Sequence, residues 1–308
     1  MEERLSPQRS TGIDRNTLRL IGLVIAALGI LGRGILQNRV LGASSGTNLA
    51  ALLESSADAM NAATAAIILG AIEGIAVPVF ATLTVDGFSR TSSVKKYLLR
   101  LLLLALICEV PYHFALTGKL INPSPRNPVF GLVLVVAMLY LQRYYGGKTA
   151  KNVLIRVAVL AAACLWAGIL QVEYGVAMVM ISFFLWELRS RHTMAFFAAT
   201  AAALVCTVGN PLFLFAPFGF LLTHYYHGEE GREGPRVMKY AIYPVILLLV
   251  GLVGALLFCG KTNADIQIVI WRADTDAPLG SPYGGAGCPV RGSPERANVR
   301  VSAAMILL

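Results

Sequence analysis

A chain of 308 residues that is 56% hydrophobic and only 14% charged, at a mean hydropathy of +0.66, does not have the composition of a water-soluble domain, in which about a quarter of residues are charged. The apolar excess is gathered into long runs parted by short polar stretches, which is the pattern of membrane spans. The net charge of +9 lies in short groups between those runs. Such groups mark cytoplasmic loops, so membrane lipid is the expected partner and nucleic acid is not.

Residues 1–19 are polar and read as a cytoplasmic N-terminus, with no cleavable signal peptide expected. Nine apolar segments follow, at 20–37, 62–86, 97–117, 128–143, 153–170, 175–188, 194–209, 212–226 and 240–259. They predict an all-α polytopic transmembrane bundle over residues 20–259. Very short links make helical hairpins of the fifth and sixth segments and of the seventh and eighth. Asn127-Pro128 opens the fourth segment, Gly146-Gly147 breaks the chain after it, and Asn210-Pro211 parts the seventh from the eighth. Residues 260–308 are rich in Gly and Pro without helical or strand period, and are expected to be poorly ordered.

Lys and Arg set the orientation. With the N-terminus inside, seventeen basic residues fall in inner segments and three (Arg39, Lys119 and Arg126) in outer loops. Cys108, Cys164, Cys206, Cys259 and Cys288 show no metal-ligand spacing, so no metal is expected and the thiols read as apolar filler. Trp166, Trp186 and Trp271 read as residents of the membrane interface.

An ionisable group at membrane depth costs at least about 2.5–3.5 kcal/mol and calls for a partner. Helical rise puts Glu73 about 16 Å from the outer end of its span. It puts Glu109 about 18 Å, and Arg33 about 20 Å, from the inner side of theirs. These depths are similar. Arg33, Glu73 and Glu109 are therefore expected in one polar cavity, with Arg33 neutralising one carboxylate and the other holding a transferable proton. The plain structural alternative is an ion pair plus one protonated acid tying three helices together. Asp86, four residues before Arg90, reads either as half of a helix-end pair or as a carboxylate at a cytoplasmic mouth. His113 reads as a packing residue, whereas His224, near the inner end of its segment, is the better placed base. His192 lies in a polar turn.

The stretch AVPVFATLTVDGFSRTSSVKKYLLRLLLLALICEVPYHFAL from Ala76, with RNPVFGLVL after it, resembles the TraX family of bacterial membrane proteins. The matching elements are the run ending in Asp86-Gly87-Phe88, the KKYLLRL entry to the next helix, and the Glu109, Pro111, Tyr112 step. Glu173-Tyr174-Gly175 and Tyr240 with Tyr243-Pro244 follow in the family's order, over roughly residues 18–259. Many members carry an Asp-His pair in the first span and a His after the last Tyr-Pro. Here those places read IAALGILGRGILQNR and VILLLV.

The resemblance implies an integral protein of the bacterial inner membrane that acetylates the N-terminus of a pilin-like or exported substrate, with acetyl-coenzyme A as co-substrate. Amine attack on a thioester needs a base and an oxyanion stabiliser. Glu109, Glu73, Asp86 and His224 are the carboxylate and imidazole candidates, and Arg33 the stabiliser. Arg90, Lys95, Lys96 and Arg100 would face the coenzyme phosphates. Arg126, Asn127, Tyr112, Glu173 and Tyr174 would lie on the acceptor's side. Two other functions fit the same residues: a proton-coupled transporter or lipid-handling protein, and a non-enzymatic partner in a conjugation or secretion machine.

Overall fold

The computed structural model describes residues 12–41, 57–120, 125–147, 149–229 and 236–258. The expected tail, residues 260–308, lies outside the described residues, as do residues 1–11, Cys259, Cys288 and Trp271. Among the described residues the fold is helical, with two isolated backbone bridges, Ile13 to Tyr226 and Arg126 to Val172.

Asp14 caps the first helix. Its carboxylate accepts from the Asn16 and Thr17 amides at 3.2 and 3.3 Å and from the Thr17 hydroxyl at 2.5 Å. The Thr17 hydroxyl above all holds this carboxyl below its usual range. Helix α1 runs Arg15–Leu31 and continues without a break as a wider π-helical stretch, Gly32–Val40. Helix α2 is Ala57–Arg90, α3 Val94–Thr117, α4 Val129–Tyr144, α5 Ala150–Ile169 and α6 Gly175–Glu187. Helix α7 is His192–Val205. Two tight turns follow, Cys206–Val208 and Pro211–Phe215, then α8, Phe218–His224, and α9, Arg236–Phe258.

Among the described residues five stretches are long and apolar enough to cross a membrane: Arg15–Val40, Met60–Arg90, Val94–Thr117, Ala150–Ile169 and Tyr240–Leu257. The four other apolar segments form shorter helices, Val129–Tyr144, Gly175–Glu187, His192–Val208 and Pro211–His224. The 13 residues of α6 give about 20 Å of helix, less than the roughly 30 Å of a hydrocarbon layer. The last of the four is broken further, because the Asn210 side chain and Pro211 start a tight turn there.

The outward faces confirm the solvent. Helix α3 exposes Leu99, Leu103, Leu106, Ile107 and Val110, and α5 exposes Leu154, Val157, Leu165, Trp166 and Ile169. Continuous apolar faces of this kind need lipid rather than water against them.

Helix α2 is the centre of the bundle and packs against α1, α4, α6 and α8. The helices approach closely because α1 and the π-helical stretch after it carry small residues on their contact faces. A Cβ on Gly29 would fall 2.2 Å from the Glu73 Cβ, and one on Gly32 2.6 Å from the Leu69 Cβ. On Gly34 it would fall 2.3 Å from the carbonyl oxygen of Ala115 in α3.

The main core joins Val77 and Phe88 of α2 with Val135, Met138 and Leu139 of α4 and Ile181 of α6. Trp186 belongs to this core and not to an interface as its position suggested. It is 8% exposed, edge-on to Phe88 at 5.1 Å and beneath the Arg189 guanidinium at 4.1 Å. A second core, around Ile30, Cys108, Tyr112 and Leu247, joins α1, α3 and α9.

Candidate functional site

Arg33 enters from the start of the π-helical stretch and is surrounded by acids and phenols from three other elements. Its Nε donates to Glu73 Oε2 at 2.8 Å and its Nη2 to Glu73 Oε1 at 2.5 Å. This is a bidentate fork, the strong form of the pair. Its Nη1 pairs with Glu173 at 3.0 Å. The Tyr112 hydroxyl stands 3.5 Å from Arg33 Nη2 and donates to Glu173 Oε2 at 3.5 Å. The Tyr174 ring lies 5.9 Å from the guanidinium, and its hydroxyl bonds Glu73. Tyr112 and Glu73 are buried, at 0% and 4% exposed. Two carboxylates thus share one cation.

Glu173 and Tyr174 reach this depth because the turn before α6 is bent inward. Gln171 and Tyr174 both have positive φ, 50° and 54°, a left-handed conformation that costs an L-residue about 1–3 kcal/mol. Paired backbone bonds to Arg126 hold the turn: the Arg126 amide donates to the Gln171 carbonyl and the Glu173 amide to the Arg126 carbonyl, both at 3.1 Å. Strain of this kind collects at functional sites.

Glu109 is not in the cluster, contrary to the expectation from depth. Its carboxylate faces His113 Nε2 at 3.2 Å, Arg126 Nη1 at 3.4 Å and the Asn127 side-chain amide at 2.6 Å. The reason is helical phase. His113, four residues on, shares the face of Glu109, while Tyr112 looks about 60° away and meets Arg33. Asn127 is buried and also starts α4, its side-chain oxygen accepting from the Val129 amide at 3.0 Å.

Asp86 forms a separate clamp. Arg15 Nη2 lies 2.5 Å from Asp86 Oδ2, the Tyr226 hydroxyl donates to the same oxygen at 2.5 Å, and Arg90 Nε donates to Oδ1 at 2.8 Å. The Ile13 amide donates to the Tyr225 carbonyl at 2.8 Å and closes the clamp. Asp86 therefore joins α2 to both chain segments. Asp86→Asn is expected to lower stability by about 1–3 kcal/mol, read as thermal unfolding in detergent, because the charge-assisted bonds to Arg15, Tyr226 and Arg90 are weakened together.

Lys95, Lys96 and Arg100 are exposed at the start of α3. His224 is exposed against Tyr225, with ring centroids 5.5 Å apart, and stands outside the cluster. Among the described residues no group of three His, Cys, Asp or Glu side chains could hold a metal ion.

A cavity of about 160 Å³ runs between α1, α2, α3, α4, α6 and α9. Glu73, Tyr174 and Tyr243 line one end, Arg19, Thr84, Tyr97 and Tyr240 the other. Between them the walls are apolar, with Leu23, Val77, Phe80, Leu101, Leu132 and Met178. Tyr243 escaped the reading of individual residues because it matched only as part of a helix entry. Its signal was a phenol within a predicted span.

Apolar faces turned outward, together with ion pairs enclosed among the helices, define a multi-pass helical membrane protein with a buried polar centre. The TraX protein family model matches residues 50–254, and the chain belongs to that family. Membership supports a conjugation-related membrane protein. No curated protein and no solved structure matches the chain.

Proposed function

We propose that this protein is an acetyltransferase of the bacterial inner membrane, moving an acetyl group from acetyl-coenzyme A to the N-terminal amine of a pilin-like or exported protein. The observation that carries the reading is Glu73, a buried carboxylate that lines the cavity while sharing Arg33 with Glu173. A second acid on the same cation leaves the centre one negative charge in excess, which suits a base.

In the reaction the amine attacks the thioester carbonyl carbon. The C–N bond forms, the C–S bond breaks, and the amine proton passes to Glu73 and on to the leaving thiolate. In this reading all nine apolar segments enter the membrane with the N-terminus inside. Lys95, Lys96 and Arg100 then meet the donor's phosphates at the cytoplasmic face. Arg126 and Asn127 stand on the acceptor's side.

The test is transfer of radiolabelled acetyl from acetyl-coenzyme A to a pilin N-terminal peptide by purified protein in nanodiscs. Glu73→Gln is expected to lower kcat by about 10²-fold or more. Glu109→Gln, whose carboxylate belongs to the other cluster, retains most activity. Proton-coupled solute flux in liposomes without labelled peptide would replace this reading with transport. Neither signal would leave an assembly role.

A further inference from the structure

The geometry points to Asn127 as a positioning residue that sets the place of Glu173 beside Arg33, through the backbone of the bent turn. This rests on the acyl-transfer reading above, in which Glu173 supplies the excess negative charge of the centre.

The turn before α6 does not hold itself. Its own bonds run from the Gln171 and Val172 amides back to Gly168 and Ala167 of α5, and from the Gly175 amide to Val172, each at 3.0 Å. None of them takes up the Glu173 amide, which donates instead to the Arg126 carbonyl outside the turn. Gln171 and Tyr174, both left-handed, oppose the arrangement, so an external hold is needed.

The Arg126 carbonyl and the Asn127 amide belong to one planar peptide unit. One edge of that unit carries Glu173. The other edge, the Asn127 N–H, donates to Glu109 Oε2 at 3.3 Å. The Asn127 side chain locks the unit between helices. Its Nδ2 donates to the Ala105 carbonyl at 2.8 Å and to Glu109 Oε2 at 2.6 Å, both in α3, and its Oδ1 accepts from the Val129 amide of α4. The residue is fully buried, so it acts through the backbone and does not touch an acceptor.

Starting α4 explains only part of this set. The Oδ1 bond to Val129 is the helix-starting one, and a serine hydroxyl can supply it. The two Nδ2 bonds do nothing for α4. They fix residue 127 against α3, the helix whose Tyr112 hydroxyl donates to Glu173 Oε2. Helix α3 thus holds Glu173 twice, by its side chain through Tyr112 and by its main chain through Asn127. Without the second hold the turn relaxes, Glu173 leaves Arg33 Nη1, and Glu73 alone balances the guanidinium. The centre then has no charge to spare for the amine proton. Glu109 is replaceable in this scheme, since a Gln oxygen at 109 still accepts from Asn127.

The experiment uses Asn127→Ser in full-length protein in nanodiscs, which keeps the helix start and removes the Nδ2 donors. Asn127→Asp, which keeps the shape as well, is the second variant. For transfer of labelled acetyl, kcat is expected to fall about tenfold or more, with KM for acetyl-coenzyme A within about threefold of wild type. In a Glu173→Gln background the same substitutions are expected to change kcat by less than about twofold, because no Glu173 charge is left to position. Unfolding temperature gives the same comparison without turnover: the loss in the double variant is expected to fall short of the sum of the single losses. A loss in kcat or in unfolding temperature that is as large in Glu173→Gln as in wild type overturns the proposal and leaves Asn127 a packing residue. If wild type itself makes no labelled peptide, the acyl-transfer reading falls, and the unfolding temperatures alone decide whether Asn127 places Glu173.

Discussion

Arg33→Gln is expected to destabilise the protein by about 3–5 kcal/mol, seen as a large drop in unfolding temperature in detergent or nanodiscs. The substitution leaves Glu73 and Glu173 facing each other without a cation. Removing one partner of a buried pair costs far more than the pair contributes, because the remaining charge stays desolvated. Here two charges remain. Glu73→Gln is milder, about 1–2 kcal/mol, since Arg33 keeps Glu173 at 3.0 Å. The order of the two effects is the informative part. A chain in which Arg33 met one acid alone would lose similar amounts from either side.

Gly29→Leu is expected to cost about 3 kcal/mol and to disturb the same centre by a different route. The new Cβ would stand 2.2 Å from the Glu73 Cβ and 2.6 Å from its Oε2. These atoms are anchored by the fork to Arg33, so α1 and α2 must separate. Overpacking alone costs about 1–3 kcal/mol, and displacing Glu73 adds to it. Gly168 in α5 is the control. Nothing lies within 4 Å of a Cβ there, so Gly168→Ala is expected to be neutral or stabilising by up to about 1 kcal/mol. Thermal unfolding of the two variants side by side separates a packing effect from a general intolerance of glycine replacement.

Much of the architecture was legible because lipid imposes a plain rule: apolar runs become helices. The nine apolar segments all recur as helical stretches, though among the described residues five have the length and composition of a full span. Composition cannot reveal that the turn before a short helix such as α6 folds onto Arg33, and that is where Glu173 and Tyr174 sit. Depth arithmetic brought Arg33 and Glu73 together correctly, since rise along a helix is a reliable coordinate. It misplaced Glu109 because rise says nothing about azimuth, and about 60° separates the faces of Glu109 and Tyr112. Glu173 stood in a turn, where depth cannot be counted at all. Only its place in the Glu-Tyr-Gly step marked it. The clamp on Asp86 was half visible: Arg90 is its neighbour four residues on, whereas Arg15 and Tyr226 arrive by tertiary contact.

The buried centre is built on Arg33 shared between Glu73 of α2 and Glu173 of the bent turn. A double-mutant cycle measures this directly, combining Arg33→Gln with Glu173→Gln and, in parallel, with Glu109→Gln, each followed by unfolding in nanodiscs. The expected coupling is about 1–3 kcal/mol for Arg33 with Glu173, and within about 0.5 kcal/mol of zero for Arg33 with Glu109. Coupling to Glu109 with none to Glu173 would contradict the account.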